Sequence, residues 1–160
     1  MDRFIRVSEP QSGFDCRLRL LDDRAPRSSD ALWSLAGAGA AHDAIHAMWT
    51  GPEISCPVPA SAFPQDANLD LLPLENATSF PAAGDIAVVY APANRWKGQT
   101  FAFFDIGLFY DSGARLLMPM GWVMASVCAR VVDGDYDAYR AACMAIRRGG
   151  ACRLTFTQFT

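Results

Sequence analysis

DIAVVYAP at 85–92, FAFFDIGLFY at 101–110 and WVMASVCARVV at 122–132 are the stretches whose reading decides the fold. Each is short, rich in β-branched and aromatic residues, and bounded by Gly, Pro or Asn, the composition of strands between turns. The pattern predicts strands at 85–91, 101–104, 106–110 and 122–132, with a shorter one at 76–80. In the last long strand Val123, Ala125, Val127, Ala129 and Val131 share one face. Trp122, Met124, Ser126, Cys128 and Arg130 share the other. Small residues alternating with Val suit the cramped interior of a small barrel.

Working outward, residues 4–7 and 14–21 read as a hairpin. Phe14, Cys16, Leu18 and Leu20 alternate with Asp15, Arg17 and Arg19, the period of a half-buried strand. Pro10 and Gly13 lie between the two strands. A helix is expected from Pro26 to about Leu35, with Pro in its first turn and Gly37 and Gly39 ending it. AIHAMWT at 44–50 reads as a strand, followed by an extended EISCPV at 53–58. Residues 57–73 read as a long loop and a candidate lid. A second helix begins near 133–135 behind a capping Asp, carries Tyr136, Tyr139, Cys143 and Ile146 at helical spacing, and stops at Gly149 and Gly150. Residues 151–159 form a closing strand. The expectation is one mainly β domain spanning residues 1–160, a closed β-barrel with two capping α-helices.

Composition narrows the function. The 160 residues are 51% hydrophobic and 19% charged, with a net charge of −3. Lys97 is the single lysine, and no basic stripe is present, which argues against a nucleic-acid partner. No apolar run is long enough for a membrane span and no secretory leader is visible. The five cysteines are scattered, without a CxxC pair, the pattern of buried thiols in a reducing cytoplasm. The motifs of serine hydrolases, P-loop enzymes and Rossmann dehydrogenases are missing.

HAMWTGPEIS at 46–55, ENATSFPAAGDIAVVYAP at 75–92 and VCARV at 127–131, together with the order of elements, resemble a bacterial cyclophilin-like family catalogued as domain of unknown function 3830. The resemblance implies a closed barrel capped by helices and implies no activity. True cyclophilins place an Arg on a strand in a Phe- and His-containing motif. Arg95, beside Trp96, and Arg130, late on a strand, do not stand in that context, so peptidyl-prolyl isomerase activity is not expected.

His46, Glu53 and Glu75 are the candidates for acid–base chemistry. Trp49, Asn76, Tyr90 and Arg115 are the candidates for ligand contact, Arg115 as a clamp for negative charge. His42 and His46, four residues apart, share a face on either a helix or a strand, but no third ligand is marked, so neither a metal nor another cofactor is expected. The favoured reading is a protein that binds a small polar metabolite at one barrel mouth. The rivals are a hydrolase, lyase or isomerase using His and carboxylate at that mouth, with a His46–carboxylate hydrogen bond, and a structural oligomer without ligand. The Met-rich LMPMGWVM at 117–124 and the aromatics of 101–110 lead us to expect a homo-oligomer, most simply a dimer.

Overall fold

The computed structural model describes residues 2–159. Eleven strands form: β1 (Phe4–Glu9), β2 (Phe14–Leu20), β3 (Ala41–His46), β4 (Glu53–Pro59), β5 (Ala77–Thr78), β6 (Asp85–Ala91), β7 (Phe103–Phe109), β8 (Leu117–Met118), β9 (Gly121–Trp122), β10 (Ala125–Val131) and β11 (Cys152–Phe159). Helix α1 spans Pro26–Ala38 and α2 spans Tyr136–Gly149. Eight antiparallel strands run in the order β2-β1-β11-β3-β4-β7-β6-β10, and a β2–β10 pairing closes the ring. Closure removes the free edges of the sheet. The short β5 extends the pairing of β10, and β8–β9 is a separate hairpin.

Strand alternation decides what faces inward. Ile54, Cys56 and Val58 of β4, Phe104, Ile106 and Leu108 of β7, and Ile86 and Val88 of β6 fill the barrel. Leu32 and Leu35 of α1 and Tyr139, Cys143 and Ile146 of α2 join the same core. Helix α1 packs on β11 and β10, and α2 on β2, β3 and β4. A second, smaller cluster lies on the outside of the wall, where Ala87, Phe109, Ala125 and Val127 meet Leu116.

Four expectations need correction. Residues 101–104 and 106–110 are not two strands: β7 runs unbroken through Asp105, because the Asp occupies an outward position and leaves the inward alternation intact. The strand expected at 122–132 is interrupted. β9 pairs with β8, and a bulge between Val127 and Ala129 shifts the β10 register. Ala125 and Val127 therefore pack outside the wall, whereas Cys128, Ala129 and Val131 pack inside it. The strand expected at 44–50 ends at His46, where the chain turns. Residues 57–59 belong to β4. Pro57 and Pro59 are tolerated there because β3 pairs with β4 only as far as Ser55, so their missing N–H groups break no β3 ladder. Beyond them, 60–71 coils through three short 3-10 turns and seats Phe63 and Leu69 on the core, with Phe63 against Phe104 at 4.9 Å between ring centroids.

The helix starts also depart from the local reading. Asp135 does not cap α2; its carboxylate accepts from the Arg17 backbone N–H at 2.8 Å and from the Arg17 guanidinium at 2.9 Å. Helix α1 has no side-chain cap of its own. The Glu75 carboxylate, from another part of the chain, accepts from the Arg27 N–H at 3.2 Å and the Ser28 N–H at 2.9 Å. A carboxylate there satisfies two unpaired donors and meets the positive end of the helix dipole.

Candidate functional site

The outward positions of adjacent strands build the site. Glu53 and Ser55 on β4, Phe103, Asp105, Gly107 and Phe109 on β7, and Ala87 and Val89 on β6 point away from the barrel interior and line a cavity of about 190 Å³. Its roof is the 46–50 turn with Met48 and Trp49, the β8–β9 hairpin with Met118, and Trp96. The site thus lies on the outer face of the wall, and the barrel-mouth placement does not hold for it. An interior position on β4 or β7 is already filled by the core residues that alternate with these.

Two carboxylates lie in this mainly apolar hollow. Glu53 is only 5% exposed. It follows the turn Thr50–Gly51–Pro52, in which Gly51 has φ +87° and lies against the Gly113 carbonyl, a conformation that favours glycine. The Thr50 hydroxyl donates to Glu53 Oε2. Glu53 Oε1 reaches over β7, where a Cβ on Gly107 would stand 2.5 Å from it and 2.8 Å from the Phe109 ring. Gly107 is therefore the gap that lets the carboxyl lie across the strand. Asp105, two residues along the same face, accepts from the Ser55 hydroxyl at 2.9 Å.

Burial, followed by the neighbouring Asp105 charge, pushes Glu53 up to about 8, against the pull of the Thr50 hydrogen bond. Burial also raises Asp105, opposed by the Ser55 hydroxyl and the Ile106 backbone N–H. Two desolvated carboxyls so placed titrate as a pair. The hydrogen bonds favour the charge on Asp105, which accepts from the Ser55 hydroxyl and the Ile106 N–H, and the shared proton on Glu53, which accepts from Thr50 alone. The floor therefore offers one O–H donor and one anionic acceptor, with aromatic walls above.

His46 borders the cavity but is engaged within the protein. Its Nδ1 lies 2.8 Å from the Ala47 carbonyl, which can only accept, so Nδ1 carries the proton. Its Nε2 lies 2.8 Å from the Tyr110 hydroxyl, which in the neutral ring donates to it. No His46–carboxylate hydrogen bond forms among the described residues, and Glu53 is bound to Thr50 instead.

His46, Trp49 and Glu53 thus come together as the sequence suggests, and four other candidates lie elsewhere. Glu75 caps α1, as described above. Asn76 adopts φ +45° and donates to the Val127 carbonyl at 2.9 Å, a turn-forming role. Tyr90 donates to Asp70 at 2.5 Å in a neighbouring hollow. Arg115 contributes its backbone N–H to the Thr50 carbonyl, at 3.1 Å, while its side chain is exposed outside the carboxylate pocket. His42 and His46 share strand β3, where four residues span about 13 Å, too far for one ion. Among the described residues no three His, Cys, Asp or Glu side chains converge. Asp105, Ser55, Gly107 and Trp96 were missed. Asp105 did carry a signal, as a lone carboxylate in the middle of an apolar strand.

A closed eight-stranded antiparallel barrel with two helices defines the cyclophilin-like class. The chain belongs to the family described as protein of unknown function (DUF3830), whose model matches residues 7–158. No curated protein matches it. Among solved structures, it is similar to a cyclophilin type peptidyl-prolyl cis-trans isomerase of Cryptosporidium parvum at TM-score 0.55 and 10% identity, covering 100% of this chain and 99% of that one. The Mimivirus cyclophilin matches at TM-score 0.52 and 10% identity, over 99% and 89% of the two chains. McbB, solved in complex with tryptophan, matches at TM-score 0.64 and 14% identity, over 96% of this chain and 44% of McbB, so the chain spans less than half of McbB's length. These likenesses show the fold.

Proposed function

We propose that the protein binds a small organic molecule with an apolar body and a neutral or cationic polar head in the outer-wall pocket. One observation carries this reading: two carboxyls lie in an otherwise mainly apolar cavity that, among the described residues, no Lys or Arg side chain lines. An anionic head would meet Asp105 without a compensating cation, a desolvation cost that rules against carboxylate and phosphate ligands. Arg140 and Arg147 border a separate hollow that shares His46, and Arg140 is already paired with Asp111 at 2.6 Å. A neutral acceptor can take the Glu53 O–H. A cation can pair with Asp105 and face the rings of Trp49, Trp96 and Phe103.

The five cysteines are free and four are buried, which supports the reading of a reducing, cytoplasmic setting. No helix among the described residues is long and apolar enough to cross a membrane. Phe80 and Trp122 are exposed and lie together, ring centroids 5.3 Å apart, which supports self-association through that patch; sedimentation velocity of the wild type and Trp122→Ser tests it.

The binding test is a thermal-shift screen with matched ring compounds bearing ketone, amine or carboxylate heads. Ketones or amines raise the melting temperature, by mass action on the native state. Their carboxylate counterparts do not, and the gain from amines is lost in Asp105→Asn. Carboxylates that bind as well as amines, or a screen with no response, would sink the reading.

A further inference from the structure

Glu53 and Asp105 occupy different positions along one face. The Glu53 carboxyl reaches from β4 to lie over Gly107, and Asp105 stands two residues away on β7. Ser55, which binds Asp105, pairs across the strands with Gly107, so both carboxyls converge on the Ser55–Gly107 pair at the cavity floor. Each is fixed by a separate hydroxyl, Thr50 for Glu53 and Ser55 for Asp105. Glu53 Oε2 accepts from Thr50, while Oε1 accepts no hydrogen bond among the described residues and faces the cavity, where a bound molecule can meet it.

From this arrangement we propose that the pocket catalyses cofactor-free proton transfer, the enolisation and isomerisation of a small neutral ketone or imine that carries a hydrogen on the adjacent carbon. The proposal rests on the small-molecule reading above. Asp105, as the carboxylate, takes the proton from carbon, and the C–H electron pair becomes the new C=C bond. The π pair of the C=O or C=N group moves onto the heteroatom, which takes the Glu53 proton. The substrate gains one proton and loses one, and the carboxyl pair retains one proton and one negative charge throughout. Asp105 returns its proton to the same carbon in exchange, or, where a further C=C bond is conjugated with the enol, to the far end of that diene, which completes an isomerisation, while the heteroatom proton returns to Glu53. A neutral carboxylic acid held in an apolar site is a competent donor to a developing oxyanion. The proton this step needs is the one the pair shares, placed on Glu53 by the greater number of donors at Asp105.

The experiment follows deuterium exchange at the α-carbon of 2-tetralone in D2O by NMR, with binding read in parallel by saturation transfer. The wild-type protein is expected to accelerate exchange about a hundredfold or more over buffer, the range of positioned general acid–base catalysis. Asp105→Asn falls to the buffer rate. Glu53→Gln keeps a hydrogen-bond donor but loses the transferable proton, so exchange drops at least tenfold and the loss of rate at alkaline pH disappears. Tetralone that does not bind, or that binds and exchanges at the buffer rate, overturns the catalytic proposal. Acceleration that survives in both variants overturns it as well. The binding reading falls only if the whole ketone and amine screen is also silent.

Discussion

Replacing Glu53 by Gln removes an ionisable group from a site that opposes its ionisation, and the effect can be worked from the structure. The side chain is 5% exposed, and its folded value lies at about 8 against an ordinary 4.5, through burial and then the Asp105 charge. A raised folded value means that the folded state holds the proton more tightly than the unfolded chain does. The associated stability is complete below pH 4.5 and is lost as pH rises toward 8, at about 1.4 kcal/mol per pH unit. At pH 7 the loss reaches about 3 kcal/mol at most, since Asp105 shares the titration. Gln keeps the shape and can still accept from Thr50. Glu53→Gln should therefore raise the melting temperature at pH 7 by up to about 6–12 °C for a domain of this size and flatten the decline between pH 4.5 and 8. Melting followed by circular dichroism across that range is the assay. A residual slope belongs to Asp105. A variant no more stable than wild type at pH 8, with the same pH slope, would refute the claim that the fold buries this carboxyl.

Gly107→Ala puts a Cβ 2.5 Å from Glu53 Oε1 and against the Phe109 ring. It should cost about 1–3 kcal/mol of stability in urea titration and abolish the thermal shift given by pocket ligands. Glu75→Ala uncaps α1 and should lower stability by about 1 kcal/mol while leaving ligand affinity in calorimetry unchanged, because the Glu75 side chain does not line the pocket. His42 is held below its ordinary value by burial, then by the Arg153 charge. Its contribution is present above pH 6.5 and is lost as pH falls through that value toward the lower folded one. Urea midpoints at pH 7 and pH 5 should therefore differ less in His42→Gln than in the wild type.

The barrel was legible in the sequence because strand identity is a local property. The alternation of Phe14 to Leu20, the run at 85–91 and the Gly stops after both helices each express backbone preference and burial within a few residues. Register is less local. The bulge at 127–129 moves Cys128 and Ala129 inside together, and no period-two reading contains that shift. Asp105 was read as a break between strands because its outward side chain finds its partner, Ser55, on β4, fifty residues earlier.

The site was half legible for the same reason. His46, Trp49 and Glu53 are close in sequence, so one turn gathers them. Glu75 looks like an acid–base residue until the tertiary structure brings the first turn of α1 to it, and its two hydrogen bonds then go to backbone donors. His46 looks like a base until Tyr110 and Ala47 take both of its ring nitrogens. The sequence by itself determined which residues alternate, which segments turn and which charges are scarce, since these depend on neighbours along the chain. Only the tertiary structure decided that β4 and β7 lie side by side, that Gly107 leaves room for the Glu53 carboxyl, and that a second desolvated carboxyl stands beside it. Pairing of strands fifty residues apart, and the loss of water it imposes, turns two ordinary acids into a coupled pair.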